Sequence, residues 1–232
     1  KTTGRTVKNI SRLFFLTGWR GRGLDLFVGG LAVLGHAPFH IWPVTLIAFA
    51  FLMQRLDTAR ASGKSGLSRG FWFALGYFLF GVFWIGSAFI VRGPEFIPVM
   101  PPMIFGLAAL LAVFWGIAGW LYVRLSGAGT MRWLVLAGLL TLAEFTRGHV
   151  LSGFPWNLPG YIFESGKPIS QTAAFIGIYG LSFIVFLFAA GIASTVLSVK
   201  PWRGLGLAII CAGGLWGLGN VRLSNAVVTF DQ

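Results

Sequence analysis

Phe71-Trp-Phe-Ala-Leu-Gly-Tyr-Phe-Leu-Phe-Gly-Val-Phe-Trp-Ile-Gly-Ser-Ala-Phe-Ile-Val91 carries no charge and lies between Arg69 and Arg92. A bilayer core takes about 20 apolar residues per helix, so this stretch is long enough to span. Six more apolar runs surround it, at roughly 24–34, 41–52, 103–123, 133–145, 173–199 and 205–218. The first two are short and read as a helical hairpin turning at Gly35–His40, with Pro43 in the first turn of the second helix, where its missing N–H costs nothing. Backbone hydrogen bonds must close within each span, and no alternating ten-residue segments suggest a barrel. The predicted fold is an all-α polytopic membrane protein, a bundle of about seven transmembrane helices.

Composition agrees. The 232 residues are 56% hydrophobic and 10% charged, against about 25% charged in soluble domains. The net charge of +12 does not signal nucleic acid, because the basic residues flank apolar runs and are not interleaved with aromatics on one patch. Fourteen of the 18 Lys and Arg fall in the N-terminal segment and in alternate connections: Lys1, Arg5, Lys8, Arg12, Arg20 and Arg22; Arg55, Arg60, Lys64 and Arg69; Arg124 and Arg132; Lys200 and Arg203. Arg92, Arg147, Lys167 and Arg222 fall on the other side. Basic loops stay cytoplasmic, which predicts a cytoplasmic N-terminus and an outside C-terminus. The single Cys211 excludes an internal disulfide and reads as a small core residue within a span. No cleavable signal peptide is evident, and a start at Lys1 implies that the true start is missing. Gly76 and Gly81, and the Gly213/Gly217 pair, read as small helix contacts.

The unusual sequence lies on the outside face, between the fifth and sixth runs. Glu144-Phe-Thr-Arg147-Gly-His149 leads into Gly153-Phe-Pro155-Trp156-Asn-Leu-Pro159-Gly160-Tyr161, which prolines and glycines keep from continuing as helix. Its aromatic content predicts a loop at the membrane interface, a depth that suits Trp156 and Tyr161. Glu144 and Arg147 face the same way if the helix runs through them. They form either a neutralised pair or an arginine that meets a lipid phosphate, and the two readings are compatible. Arg92, Pro94, Glu95, Pro101 and Pro102 form a second outside loop bordering the same opening. His36, His40 and His149 lack metal-ligand spacing, so no metal and no cofactor is expected.

These stretches resemble the membrane portion of apolipoprotein N-acyltransferases. The match lies in Ala37-Pro-Phe-His-Ile-Trp-Pro43; in Gly70-Phe71 with Gly76, Gly81 and Trp84-Ile85; in Glu144-Phe-Thr-Arg-Gly148 through Gly153-Phe-Pro-Trp156 to Gly160-Tyr161; and in Gly177-Ile-Tyr-Gly-Leu-Ser182. It runs from about Leu24 to Leu223. The resemblance implies transfer of an acyl chain from phospholipid to the N-terminal cysteine of diacylated lipoproteins, at the outer leaflet of the bacterial inner membrane. It also implies a periplasmic nitrilase-like domain after the seventh helix, with a catalytic Cys, Glu and Lys. On that basis residues 1–23 are a basic cytoplasmic segment, 24–219 the membrane domain, and 220–232 a periplasmic stub whose strand-like Ala226–Phe230 would open that domain. No catalytic residue is assigned within the chain, Cys211 included, and the fragment is expected to be inactive alone. Placement and resemblance together select Arg147, Trp156 and Tyr161 as lipid- or substrate-binding candidates. A small polytopic transporter is the alternative, against which stand spans nearly free of charge and without a repeat; a purely structural membrane scaffold is the other.

Overall fold

The computed structural model describes residues 12–197 and 202–226, apart from 128, 130 and 152. Each of the seven apolar runs is helical. The first forms α1 (Gly18–Leu31), continued by a 3-10 turn at Ala32–Gly35. The second forms α2 (Trp42–Ala61). The third is broken into α3 (Leu67–Gly81), a 3-10 turn at Phe83–Ile85 and α4 (Gly86–Arg92), with a bend of 45°. After a 3-10 turn at Pro94–Val99 come α5 (Met100–Leu125) and α6 (Arg132–Arg147). A 3-10 turn at Pro159–Ile162 and the short α7 (Pro168–Gln171) precede α8 (Ala173–Leu197), which is kinked at Gly177 (φ 67°, ψ 175°), and α9 (Trp202–Ser224). No strand occurs among the described residues. The strand expected at 226–230 falls almost wholly outside them, and residues 220–224 prolong α9. By length and composition, Pro94–Leu125 and Ala173–Thr195 can each cross a membrane, and the bent pair α3–α4 makes a third if it is one span.

The central helix is α3, packed on α1 and α5. Glycines make both contacts close. A Cβ on Gly76 would overlap the Leu26 carbonyl of α1, and one on Gly70 would overlap the Trp115 carbonyl of α5. Small residues let backbones approach in this way. Gly213 and Gly217 do otherwise: neither has an atom within contact of an added Cβ, so their side of α9 is open. Cys211 is also exposed on α9 and is no core residue. Helix α2 packs on α8, and α6 on α5 and α8.

Halfway along the bundle lies a layer of rings from four helices: Phe49 of α2, Phe73, Tyr77 and Phe78 of α3, Trp115 of α5 and Phe186 of α8. Their centroids are 5.2–6.1 Å apart. From Leu67 to Tyr77, and from Leu125 back to Trp115, is about 15 Å of helix, half of a 30 Å hydrocarbon core.

The helices carry more charge than their apolar runs suggest. Helix α2 extends nine residues beyond Leu52 and takes in Arg55, Asp57 and Arg60. Arg55 and Asp25 form a buried pair at 2.7 Å. Asp57 accepts from Arg60, Arg132 and the Tyr122 hydroxyl at 2.9–3.1 Å. Sequence distance hides these pairs, because each charge is tolerated only through a partner on another turn or helix. They gather at one end of the bundle, the end to which the basic connections were assigned.

Candidate functional site

Helix α6 continues through its last turn to Arg147, which places Glu144 and Arg147 on one face. Both side chains are fully enclosed. Arg147 Nε donates to Glu144 Oε1 at 2.8 Å and Nη2 to Oε2 at 2.7 Å, a bidentate pair. Trp115 Nε1 donates to the same Oε1 at 2.6 Å. The guanidinium stands over the Phe78 ring, 4.7 Å from its centroid. Its outward nitrogens donate to the loop that follows: Nη1 to the Phe154 carbonyl at 2.5 Å and Nη2 to the Trp156 carbonyl at 2.9 Å. Arg147 thus faces inward and spends its donors on Glu144 and on backbone.

A second clamp holds the next residue. Tyr77 Oη lies 2.7 Å from the Asn157 carbonyl and 2.6 Å from His36 Nε2. A carbonyl only accepts, so the single hydroxyl proton goes to Asn157, and His36 must carry its proton on Nε2 to donate to Tyr77. Asn157 itself has φ of 54°, and its amide occupies the space that a Cβ on Gly81 would need, where α3 stops. Further on, Gly160 N donates to Ser182 Oγ at 2.9 Å. An added Cβ at Gly160 would press on the Ile178 carbonyl, so only glycine lies this close to α8.

The second half of the loop is packed into the protein, which its composition did not suggest. Leu158, Pro159, Gly160 and Ile162 are buried within the bundle. Irregular backbone survives at such depth only when its polar groups are satisfied by protein or water. Arg147, Tyr77 and Ser182 supply that satisfaction. Trp156, 52% exposed, and Tyr161, 47% exposed, lie at the surface, as do Val150, Leu151 and Pro155 earlier in the loop. Trp156 packs against Trp84 of the α3–α4 break, ring centroids 4.8 Å apart.

Of the three residues selected from sequence, Arg147 and Trp156 are joined directly through the Trp156 carbonyl, and Tyr161 lies in the 3-10 turn that follows. His36, Tyr77, Trp115 and Asn157 were missed as a connected group. The signal lay beside two separate motifs: His36 just precedes the Ala37–Pro43 turn and Asn157 lies in the Gly153–Tyr161 loop, and Tyr77 joins the two in space. His149 stacks on Phe145 with centroids 4.1 Å apart and bonds the Phe145 carbonyl, while His36 is committed to Tyr77. Beside α6, Phe114, Ile117, Ala118, Leu121, Leu139, Leu142, Ala143 and Thr146 line an apolar groove of about 200 Å³, of a chemistry that accepts an acyl-chain segment.

Residues 28–191 match the family described as apolipoprotein N-acyltransferase N-terminal domain. A protein of Caulobacter vibrioides named apolipoprotein N-acyltransferase is 39% identical over 208 residues, covering 89% of this chain and 39% of that relative. Relatives of the same name from Rhodopseudomonas palustris and Brucella suis are 37% and 36% identical, covering 78% and 95% of this chain and 34% and 43% of theirs. The chain thus spans about two fifths of the length of the curated relatives it matches.

Proposed function

Because this chain belongs to the apolipoprotein N-acyltransferase family, through its N-terminal domain, we propose that it is the membrane domain of a lipoprotein N-acyltransferase. The reaction is transfer of an acyl chain from phospholipid to the N-terminal cysteine of a diacylated lipoprotein. The chain contributes residues 24–219 as the helical domain, in a bacterial inner membrane, with residues 1–23 cytoplasmic and 220–232 leading into a periplasmic domain that carries the chemistry. Its physical task is to hold the apolar tails of donor and acceptor while their heads meet, which is catalysis by positioning.

The observation that carries this reading is the clamped loop. Arg147 and Tyr77 fix the backbone from Phe154 to Asn157, and the fixed backbone presents Trp156 on Trp84, while the half-exposed Tyr161 follows in the next 3-10 turn. Two rigid, half-exposed aromatics on an otherwise apolar wall suit an acyl chain entering from the bilayer. Arg147 serves the site by holding this wall in place rather than by touching a phosphate, since its polar edge is engaged within the protein. The buried charges do not form an ion path of the kind a transporter needs, because Glu144, Arg147, Asp25 and Arg55 close on one another and on backbone carbonyls.

The test uses the full natural protein in proteoliposomes with a diacylated lipopeptide acceptor. Trp156→Ala is expected to slow acyl transfer by about tenfold to a hundredfold, the loss typical of misplaced reactants, with its membrane level unchanged. Unchanged turnover removes Trp156 from the site.

A further inference from the structure

At the bundle's other end, residues 12–17 form a strap that leads into the first turns of α1, and Arg55 is its latch. Arg55 Nε and Nη2 hold the Asp25 carboxylate at 2.7 and 2.8 Å. Its Nη1 reaches out to the Phe14 and Leu16 carbonyls at 2.9 and 2.6 Å. Arg69 in turn donates to the Arg55 carbonyl. Phe14 is tucked inward, its ring 5.5 Å from Phe51. Pinned this way, the strap turns its other residues outward. Leu13, Phe15 and Trp19 are exposed, at 40%, 62% and 77%. Arg12, Arg20 and Arg22 are exposed among them.

Two of these cations rest on indoles. The Arg20 guanidinium lies 5.4 Å from the Trp19 ring centre, and that of Arg22 lies 6.0 Å from the ring of Trp72 on α3. Stacking uses the face of a guanidinium and leaves its N–H edges free to bind an oxyanion. No acidic residue precedes Asp25, and Asp25 is already occupied by Arg55. Exposed apolar rings and arginines that have no acidic partner among the described residues, on one short segment, match one environment, the boundary between acyl chains and anionic headgroups.

We infer that residues 12–22 are an interfacial anchor that binds the headgroup phosphates of anionic phospholipids, with Arg12, Arg20 and Arg22 as the contacts and Trp19 and Phe15 inserted beside them. The inference rests on the chain's being a membrane protein and is independent of acyl transfer. It also explains why a buried pair is kept at this end, since Arg55 and Asp25 set the strap's height relative to the helices.

The test is lipid exchange on the purified protein in nanodiscs. Fluorescent phosphatidylglycerol is titrated against a phosphatidylcholine background of the same acyl chains, at low and high salt. Wild type is expected to prefer phosphatidylglycerol at low salt and to lose the preference as salt screens it. Arg12→Gln/Arg20→Gln/Arg22→Gln should lose affinity by about fivefold per arginine, with its unfolding midpoint in pure phosphatidylcholine unchanged. Arg20→Gln alone, a fully surface change, should lose about fivefold and serves if the triple variant fails to fold. Equal preference for both lipids in wild type, or an undiminished preference in the variants, overturns the proposal.

Discussion

Replacing Arg147 by Lys keeps the charge and removes the fork. Arg147 makes four hydrogen bonds from three nitrogens, two to Glu144 and one each to the Phe154 and Trp156 carbonyls. A lysine ammonium is a single point at the end of a flexible stem and cannot span carboxylate and both carbonyls together. If it stays with Glu144, one or both carbonyls are left buried without a donor, at about 1–3 kcal/mol each. The expected loss is about 2–5 kcal/mol, concentrated in residues 148–163. For a chain of this size that lowers the unfolding midpoint by about 5–20 °C. Arg147→Met should cost about 3–5 kcal/mol for a different reason, because it leaves the Glu144 charge enclosed and unpaired. Adding Glu144→Gln to it should recover part of that loss, since a Gln oxygen can still accept from Trp115 Nε1. Thermal unfolding of wild type, Arg147→Met, Glu144→Gln and the double variant gives the coupling energy, and limited proteolysis of Arg147→Lys locates its loss, with cleavage appearing first between 148 and 163. An Arg147→Lys protein within about 0.5 kcal/mol of wild type and equally protease-resistant would refute the argument that this side chain holds the loop.

Two further outcomes test other contacts. His36→Phe leaves the Tyr77 hydroxyl without its buried donor and should cost about 1–3 kcal/mol, read as a lower unfolding midpoint; an unchanged midpoint denies the His36–Tyr77 bond a part in holding the turn. Gly76→Ala forces a methyl into the Leu26 carbonyl and should cost about 1–3 kcal/mol. Gly106→Ala, in open space on α5, should gain about 0.5–1 kcal/mol, and equal effects of the two in thermal unfolding would deny the close α1–α3 contact.

Much of this molecule is legible along the chain because the governing interactions are local. An apolar run becomes a helix in hydrocarbon whatever its neighbours are, so seven runs correspond to seven helical stretches, one of them broken after Gly81 and another interrupted at Gly177. Basic residues gather at one end for an equally local reason, and the resemblance carried by the Glu144-to-Tyr161 motif agrees with the family match over residues 28–191. What the chain alone does not reveal is depth. The loop after Arg147 is rich in Trp, Pro and Gly, a composition shared by rim loops and by loops enclosed in a bundle. Its place is decided by donors far away in sequence: Tyr77, 80 residues from Asn157, and His36, 41 residues from Tyr77. The charges behave alike. Arg55 reads as a connection residue until α2 is seen to run to Ala61 and Asp25 to meet it from α1. A buried polar group is stable only with its partner, and the partner's position is a property of the assembled bundle.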